Sequence, residues 1–241
     1  MKRLITICLV ALAIGTLTVV SFALPRISGS GNVIKETRNV GKFTGLNAAS
    51  AFKIYVKQGS PQSVVIESDD NIIDIIETKV SNGVLKFTLN GSVNNPTAMK
   101  AYITVENLNS LDISGAASLI FETPVNTNGN MQVDISGAAS IKDLNLTAND
   151  INIDASGASK ITADINCKKL RLDASGASKI NLNGNATDKI IKASGASSVK
   201  VENVKADKTS VDASGASNVT TGQDGMIKID KSSAASVRTN K

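Results

Sequence analysis

The sequence predicts an all-β protein that folds as a single-stranded parallel β-helix, and two observations carry this prediction. The first is an eight-residue phrase of the type Asp-x-Ser-Gly-Ala-small-x-apolar, which is written seven times at intervals of 18 to 22 residues. The copies begin at Asp112, Asp134, Asp154, Asp173, Lys192, Asp212 and Asp230. A fixed period in this range is typical of a solenoid whose rungs stack on one another. We expect rungs of 18–22 residues and a right-handed coil.

The second observation is the alternation of side chains through each copy. In the first copy, one parity is shared by Leu111, Ile113, Gly115, Ala117 and Leu119. The opposite parity carries the aspartate and the serine of the phrase. A period of two indicates an extended strand, so the apolar parity should face the inside of the coil. By this rule the glycine also faces inward, where it would permit a bend or a close approach of backbone.

Stacking explains why the phrase is repeated. Neighbouring rungs lie ~4.8 Å apart, so side chains of one kind pack on their own kind. A single rung cannot bury its apolar side chains, and several copies are therefore needed for a stable core. The abundance of Val, Ile, Ser, Thr, Asn and Gly favours strands and turns over helices.

The chain is divided by this pattern into an irregular part at residues 24–110, a regular coil at 111–238 and a tail at 239–241. Asn47 begins an eroded eighth copy, and the 65 residues from it to Asp112 equal about three rungs. Strand-like stretches lie at 53–57, 63–67, 84–89 and 101–105. Asp69 and its neighbours are typical of the start of a short helical turn over 72–76. We expect this part to shield the first open edge of the coil.

Residues 1–23 are predicted to be a secretory signal peptide. Lys2 and Arg3 precede an apolar run, and Ser21 and Ala23 supply the small side chains of a cleavage site. The alternative is an uncleaved membrane anchor, because the run is near the shortest length that spans a bilayer. We expect an exported protein of the periplasm, the outer-membrane surface or the medium, which meets the membrane only through this signal.

Composition narrows the function classes. Without Lys2 and Arg3, 24 of the 26 basic residues stand against 21 acidic ones, a net charge of +3, and no basic block indicates nucleic-acid binding. The absence of histidine excludes His-based acid–base catalysis and His metal sites. Cys167 is the single cysteine after residue 23, whereas a redox role would need a second thiol. We therefore expect no enzymatic activity and no cofactor.

Three longer segments carry a resemblance to a known family. They are FTGLNAASAFKIYVKQG at 43–59, VVIESDDNIIDIIETKVSNGVLKFTL at 64–89, and YITVENLNSLDISGAASL at 102–119, followed by the repeated phrases. Together they resemble bacterial envelope proteins called putative auto-transporter adhesins, the head GIN domain family. Glu106 and Asn107 depart from the family pattern, which often has proline there. The resemblance implies a secreted or envelope-exposed β-helical protein, and it brings no catalytic residues.

The outer side of the repeat is the candidate binding surface. Its aspartates and serines would form a ladder with ~4.8 Å steps, suited to an extended ligand such as a glycan or to an envelope or surface protein. The pairs are Asp112 and Ser114, Asp134 and Ser136, Asp154 and Ser156, Asp173 and Ser175, and Asp212 and Ser214. Two other interpretations stay open. The aspartates could cap turn amides or face solvent, or they could hold a divalent cation such as Ca²⁺.

Three functions are compatible with these patterns. The first is a non-enzymatic adhesin, ligand-binding or scaffold protein of the cell envelope. The second is a β-helix enzyme acting on polysaccharide, which would need a groove of clustered charges off the repeat register. Asp173 and Arg171, with Lys168 and Lys169, form the one local exception to the repeat. The third is a structural envelope protein without a ligand. The Ser-Gly pair does not fit a nucleophile elbow, which needs a second glycine and a histidine.

Overall fold

The computed structural model describes residues 26–223 and 225–240, and the predicted signal peptide lies outside them. The described chain is all-β, with a single 3₁₀ turn at Ile73–Ile75. The strands are β1 (Arg26–Ser28), β2 (Val33–Arg38), β3 (Gly45–Ala48), β4 (Lys53–Gln58), β5 (Ser63–Asp69), β6 (Ile76–Ser81), β7 (Val84–Leu89), β8 (Ser92–Asn94), β9 (Met99–Val105), β10 (Ser110–Ile113), β11 (Ser118–Phe121), β12 (Val125–Asn126), β13 (Met131–Ile135), β14 (Ser140–Thr147), β15 (Asp150–Ala155), β16 (Lys160–Ala174), β17 (Lys179–Ala193), β18 (Ser198–Ala213), β19 (Asn218–Gly222), β20 (Met226–Lys231) and β21 (Ser236–Asn240). No helix in these two ranges is long and apolar enough to cross a membrane.

The strands of the repeat stack in parallel and form a β-solenoid of about six turns, which confirms the predicted parallel β-helix. Each phrase lies on the next one: Asp112 is paired with Asp134, and Asp134 with Asp154. Asn47 is paired with Asp112, so the eroded eighth copy is a true rung. The right-handedness of the coil stays a prediction.

Two outer faces meet at the glycine of the phrase. The first face holds the phrase aspartates and consists of β3, β10, β13, β15, the C-terminal ends of β16 to β18, and β20. The second face follows the glycine and consists of β4, β11, the N-terminal ends of β14 and β16 to β18, β19 and β21. The long strands β16 to β18 continue from the second face of one rung into the first face of the next.

The core is a set of apolar columns inside the coil. One column is formed by Leu46, Leu111, Val133, Ile153 and Leu172, which are paired rung by rung and are at most 3% exposed. Burial of a side chain of this size stabilises the fold by ~1.5–3 kcal/mol. The alternation that the sequence shows before and after the glycine therefore faces inward as predicted.

The glycine itself lies in an exposed turn, so the inward prediction is wrong at this position. The Ala117 amide donates to the Ser114 carbonyl oxygen at 3.4 Å, and Gly115 has φ of 67°, which breaks the period of two. The turns then stack, because the Ala138 amide donates to the Gly115 carbonyl oxygen at 2.7 Å. A Cβ on Gly137 would lie 2.7 Å from that same oxygen. The predicted close approach of backbone is thus confirmed, at the surface instead of the core.

The N-terminal part forms one rung out of sequence order and an antiparallel cap. β7 and β9 pair in parallel with the outer edges of β3 and β4. β6 pairs antiparallel with β7, β5 with β9, and β2 with β5. The 65 residues between Asn47 and Asp112 are therefore not three successive rungs. β5 and β6 thus cover the outer edges of β9 and β7, so this cap shields the open edge of the parallel rungs as expected.

Two smaller expectations can be compared with the strands. The 3₁₀ turn lies inside the predicted helical stretch, but the Asp69 side chain does not cap it. Residues 239 and 240, which the pattern assigns to a tail, continue β21 and pair with Thr221 and Gly222.

Candidate functional site

The first face brings all the predicted aspartates into one row. The row runs in space from Lys86 through Asn47, Asp112, Asp134, Asp154, Asp173, Lys192 and Asp212 to Asp230. Because parallel pairing keeps equivalent residues adjacent, the repeat in the sequence becomes a straight line of side chains along the coil. Lys192 interrupts the line of carboxylates at one rung.

The aspartates and serines line two grooves on this face. The larger groove, of about 340 Å³, is bounded by four aspartates and three serines: Asp112, Asp134, Asp154, Asp173, Ser136, Ser156 and Ser175. The smaller, of about 200 Å³, is bounded by Asp173, Lys192, Ser194, Asp212 and Ser214. Ser114 is the one predicted residue that borders neither groove.

Electrostatics make the larger groove a strong hydrogen-bond acceptor. Burial raises the pKa of Asp134, and the charges of Asp154 and Asp112 raise it further. The Gln132 amide relieves part of this repulsion, since it donates to Asp134 at 3.0 Å and to Asp154 at 3.1 Å. The Asn47 amide donates to Asp112 at 2.5 Å. The row already binds neutral N–H donors, and it should accept other uncharged donors in the same way.

Of the alternative interpretations, exposure to solvent is met at Asp112, Asp154, Asp173 and Asp212, whereas turn capping and cation binding are not supported by these contacts. In the described part of the chain, the hydrogen bonds of Asp112, Asp134 and Asp154 go to side-chain amides and none goes to a turn amide. Among all the described residues, no three or more Asp, Glu, Cys or His side chains form a group that could hold a metal ion. One of the serines also bonds within the coil, since the Ser175 hydroxyl donates to the Ala155 carbonyl oxygen at 3.5 Å.

The charged cluster around Arg171 follows the register of the repeat. Lys169 is paired with Asp188, Asp188 with Lys208, and Arg171 with Ile190. A groove of about 530 Å³ runs beside this column and is lined by Lys169, Asp188, Lys189, Ile190, Lys208, Thr209, Ser210, Met226, Ile227 and Lys228. The enzyme hypothesis needs charges off the register, and this groove is built from residues within it.

An aromatic pair at the N-terminal end is a feature that the sequence did not indicate. Tyr55 and Tyr102 stack with ring centroids 5.1 Å apart and planes inclined by 8°. Lys53 lies 5.3 Å from the Tyr55 ring centre and Lys35 lies 4.9 Å from that of Tyr102. The two tyrosines are adjacent only because β9 pairs with β4 out of sequence order. No repeat or spacing could have shown this contact.

Glu67 holds the cations around this pair. Its carboxylate accepts from Lys100 at 2.6 Å and from the Tyr102 hydroxyl at 3.0 Å, and Lys35 is 3.2 Å away. The hydrogen bond from Lys100 is the main cause that lowers the pKa of Glu67 to about 2, although burial opposes this shift. Glu67 therefore stays ionised over the whole physiological range.

The second face carries exposed lysines on four consecutive rungs, at Lys142, Lys160, Lys179 and Lys200. We name this set the lysine strip. Each member stands directly before or directly after the closing apolar residue of a phrase. A column-by-column reading of the repeat could have found it, whereas a search for blocks of basic residues could not.

The thiol of Cys167 does not add a reactive group. Cys167 is half-buried, and burial together with the charge of Asp150 raises its thiol pKa to about 11. A thiol with such a pKa is protonated at neutral pH and is a weak nucleophile.

Comparison with known proteins shows both a family and a fold. A family described as "Putative auto-transporter adhesin, head GIN domain" matches residues 42–240. A crystal structure of a putative adhesin from Bacteroides fragilis NCTC 9343 has 21% identity and a TM-score of 0.79, over 89% of this chain and 100% of that one. A putative adhesin from Parabacteroides merdae ATCC 43184 has 15% identity and a TM-score of 0.79, over 91% and 100%.

A structure described as a putative lipid binding protein, from Parabacteroides distasonis ATCC 8503, is also similar. It has 18% identity and a TM-score of 0.70, over 89% of this chain and 97% of that one. At such identities the likeness concerns the fold. No curated protein matches the chain.

Proposed function

The chain belongs to the head GIN domain family of putative auto-transporter adhesins, and from this premise we propose that it is an exported, non-enzymatic binding protein of the bacterial cell envelope. The observation that supports this function is the larger groove of the first face, where four aspartates and three serines repeat in register. A rigid coil holds these groups at steps of ~4.8 Å without any induced fit.

The ligand that suits this groove is a neutral glycan chain. Carboxylates only accept hydrogen bonds, and serine hydroxyls both donate and accept, which complements the hydroxyl groups of a sugar. The row of negative charge disfavours an anionic ligand. Gln132 already places an amide donor between Asp134 and Asp154, and a sugar hydroxyl would occupy the same kind of position farther along the row.

A glycan array with the purified protein tests this proposal. We expect binding to neutral glycans, and the Asp134→Asn/Asp154→Asn double variant should weaken it by at least about tenfold, because hydrogen bonds to charged groups contribute ~1.5–3 kcal/mol each. The control is Asp143→Asn/Asp164→Asn, which removes the same charge from two exposed residues outside the groove. It should leave binding unchanged.

Two outcomes would contradict the proposal. Release of reducing sugar ends from a bound polysaccharide would assign a β-helix enzyme instead. Absence of any ligand across the array, with an envelope defect on deletion of the gene, would assign a structural envelope protein. An equal loss of affinity in both double variants would place the ligand elsewhere on the surface.

A further inference from the structure

We propose that the lysine strip of the second face is a binding site for an acidic polysaccharide. This site lies on a different face from the aspartate groove, takes a ligand of opposite charge and does not depend on the function proposed for that groove. The proposal starts from the placement of four lysines on consecutive rungs, which the sequence separates by about twenty residues each.

The register fixes the geometry of the strip. Lys160 is paired directly with Lys179, and Lys200 is paired with Asn181 one rung farther along. Lys142 follows Ile141, which is paired with Ile161 on the next rung. With ~4.8 Å between rungs, the four lysines extend over about 14 Å along the coil, in two neighbouring columns. Lys53 and Arg238 continue the same two columns of outward residues toward the ends of the coil.

The charges of the strip are not neutralised by ion pairs. All four lysines are exposed, and none of them has an ion-pair partner in the part of the chain that the structure describes. Carboxylates do lie close by in the sequence, with Asp143 directly after Lys142 and Glu202 two residues after Lys200. Neither of them forms an ion pair in the described residues. Adjacent like charges repel one another, so an anionic polymer that neutralises several of them at once would be bound favourably.

The surroundings favour a polysaccharide among polyanions. Lys160, Lys179 and Lys200 border a groove of about 190 Å³ together with Asn181 and Ser198, whose side chains can hydrogen-bond to sugar hydroxyls. Stacking on nucleic-acid bases needs aromatic rings, and the strip contains none. The Tyr55–Tyr102 stack belongs to β4 and β9, and each of its rings already has a lysine over it.

The strip also lacks the exposed apolar side chains that binding to a membrane surface needs. The exposed large hydrophobic residues of the described chain are Val33, Ile34, Met226, Ile227 and Ile229, and none lies in the strip. Interfacial membrane binding usually needs apolar side chains that enter the headgroup region beside the cations. The strip offers only charged and hydrogen-bonding groups, and these suit an acidic sugar chain.

Titration of the purified protein with polygalacturonate, a linear polyuronate, tests the site. We expect binding that weakens steeply as salt rises, because cation contacts release counterions. The variant Lys142→Thr/Lys160→Ser/Lys179→Ser/Lys200→Thr should lose at least about tenfold in affinity and show a flatter salt dependence. The new residues are those that other rungs already carry in these columns, such as Ser140 and Thr220.

The matched control removes four other exposed lysines, as Lys168→Ser/Lys205→Ser/Lys208→Ser/Lys228→Ser. It has the same net charge as the strip variant and should change affinity by less than about twofold. If the strip variant melts early, the Lys160→Ser/Lys179→Ser pair gives the same comparison with a smaller change.

Three results would overturn the site. They are an absence of binding to polygalacturonate, an equal loss in the strip and control variants, and tighter binding to single-stranded DNA or to phosphatidylglycerol vesicles than to polygalacturonate. Asp134→Asn/Asp154→Asn should bind polygalacturonate undiminished, so failure of the strip and failure of the aspartate groove are separate observations.

Discussion

The regular coil and the N-terminal cap belong to one continuous sheet but are stabilised in different ways. In the coil, from β10 to β19, equivalent residues stack on themselves and the glycine turns bond backbone to backbone. In the cap, strands of unlike sequence run antiparallel, and charged groups become partners. The ion pairs Lys35–Glu67, Lys100–Glu67 and Arg38–Glu36 all belong to it.

The comparison shows which residues stabilise the fold and which are available to bind a ligand. The coil needs only its inward columns and its glycines, so its outward columns are free to vary between aspartate, lysine and small polar residues. The cap uses its polar residues for folding: the carboxylate of Asp69 accepts bonds from the backbone amides of Gly31 at 2.9 Å and Thr97 at 2.7 Å. We therefore expect ligands on the coil and structural failure from polar substitutions in the cap.

The largest expected effect comes from a glycine substitution that destabilises the coil and leaves the cap unchanged. Gly157→Ala would place a Cβ 2.7 Å from the Gly137 carbonyl oxygen at a φ of 68°. Left-handed backbone costs an L-residue ~1–2 kcal/mol and overpacking adds ~1–3 kcal/mol, so the free energy of unfolding should fall by about 2–5 kcal/mol. Urea unfolding measures it.

Gly41→Ala is the matched control for this substitution. Gly41 has no heavy atom within 4 Å of an added Cβ and no positive φ. Its unfolding free energy should change by less than about 0.5 kcal/mol. If Gly157→Ala were as stable as Gly41→Ala, the stacked glycine turns would not be what holds the rungs in register.

The same contrast explains what could be predicted from the sequence. Repetition reveals a coil because each rung repeats one local solution, and Asn47 was recognisable as a rung for this reason. The glycine was misplaced because parity assumes a straight strand, while Gly115 with φ of 67° forms a corner. The cap was beyond reach because its pairs, such as Tyr55 and Tyr102, depend on a rung that stacks out of sequence order.

The candidate surfaces also differ in how far the sequence predicts them. The aspartate row follows from the phrase itself, and the structure brings all of its predicted members together. The lysine strip follows from the phrase only when its columns are compared, since Lys160 and Lys179 share one column and Lys142 and Lys200 flank it. The Glu67 cluster has no signal in the sequence, because Lys35 and Lys100 reach it from two unrelated strands.

Acid should weaken the cap before the coil. Hydrogen bonding to Lys100 lowers the pKa of Glu67 from its usual 4.5 to about 2. A lowered folded-state pKa contributes stability above pH 4.5, which is lost as pH falls from there toward 2. Melting curves of the wild type and Glu67→Gln should therefore differ clearly at pH 7 and converge near pH 2. A difference that is independent of pH would show that the charge of Glu67 does not stabilise the cap.

Asp134 should respond to pH in the opposite direction. Burial and the charges of Asp154 and Asp112 raise the pKa of Asp134, so its ionised form costs stability at neutral pH and the cost disappears when it is protonated. Asp134→Asn should melt slightly above the wild type at pH 7 and level with it at pH 3. A lower melting temperature at pH 7 would mean that Gln132 and its bonds to the row outweigh the repulsion.

The smallest expected effect on the free energy of unfolding is at a column of the coil that holds either alanine or serine. The position after the glycine turn holds Ala117 and Ala139 in two early rungs and buried serines farther along, and the Oγ atom of Ser178 has no hydrogen-bond partner in the described residues. A buried hydroxyl without a partner costs stability, so Ser178→Ala should be neutral or should stabilise by up to about 1 kcal/mol. Urea unfolding against the wild type measures this change. Ser217, whose Oγ donates to the Ala193 carbonyl oxygen at 3.3 Å, is the matched control, and Ser217→Ala should be destabilising. Equal effects would mean that the hydrogen bond of Ser217 does not stabilise the column and that both hydroxyls are tolerated for packing alone.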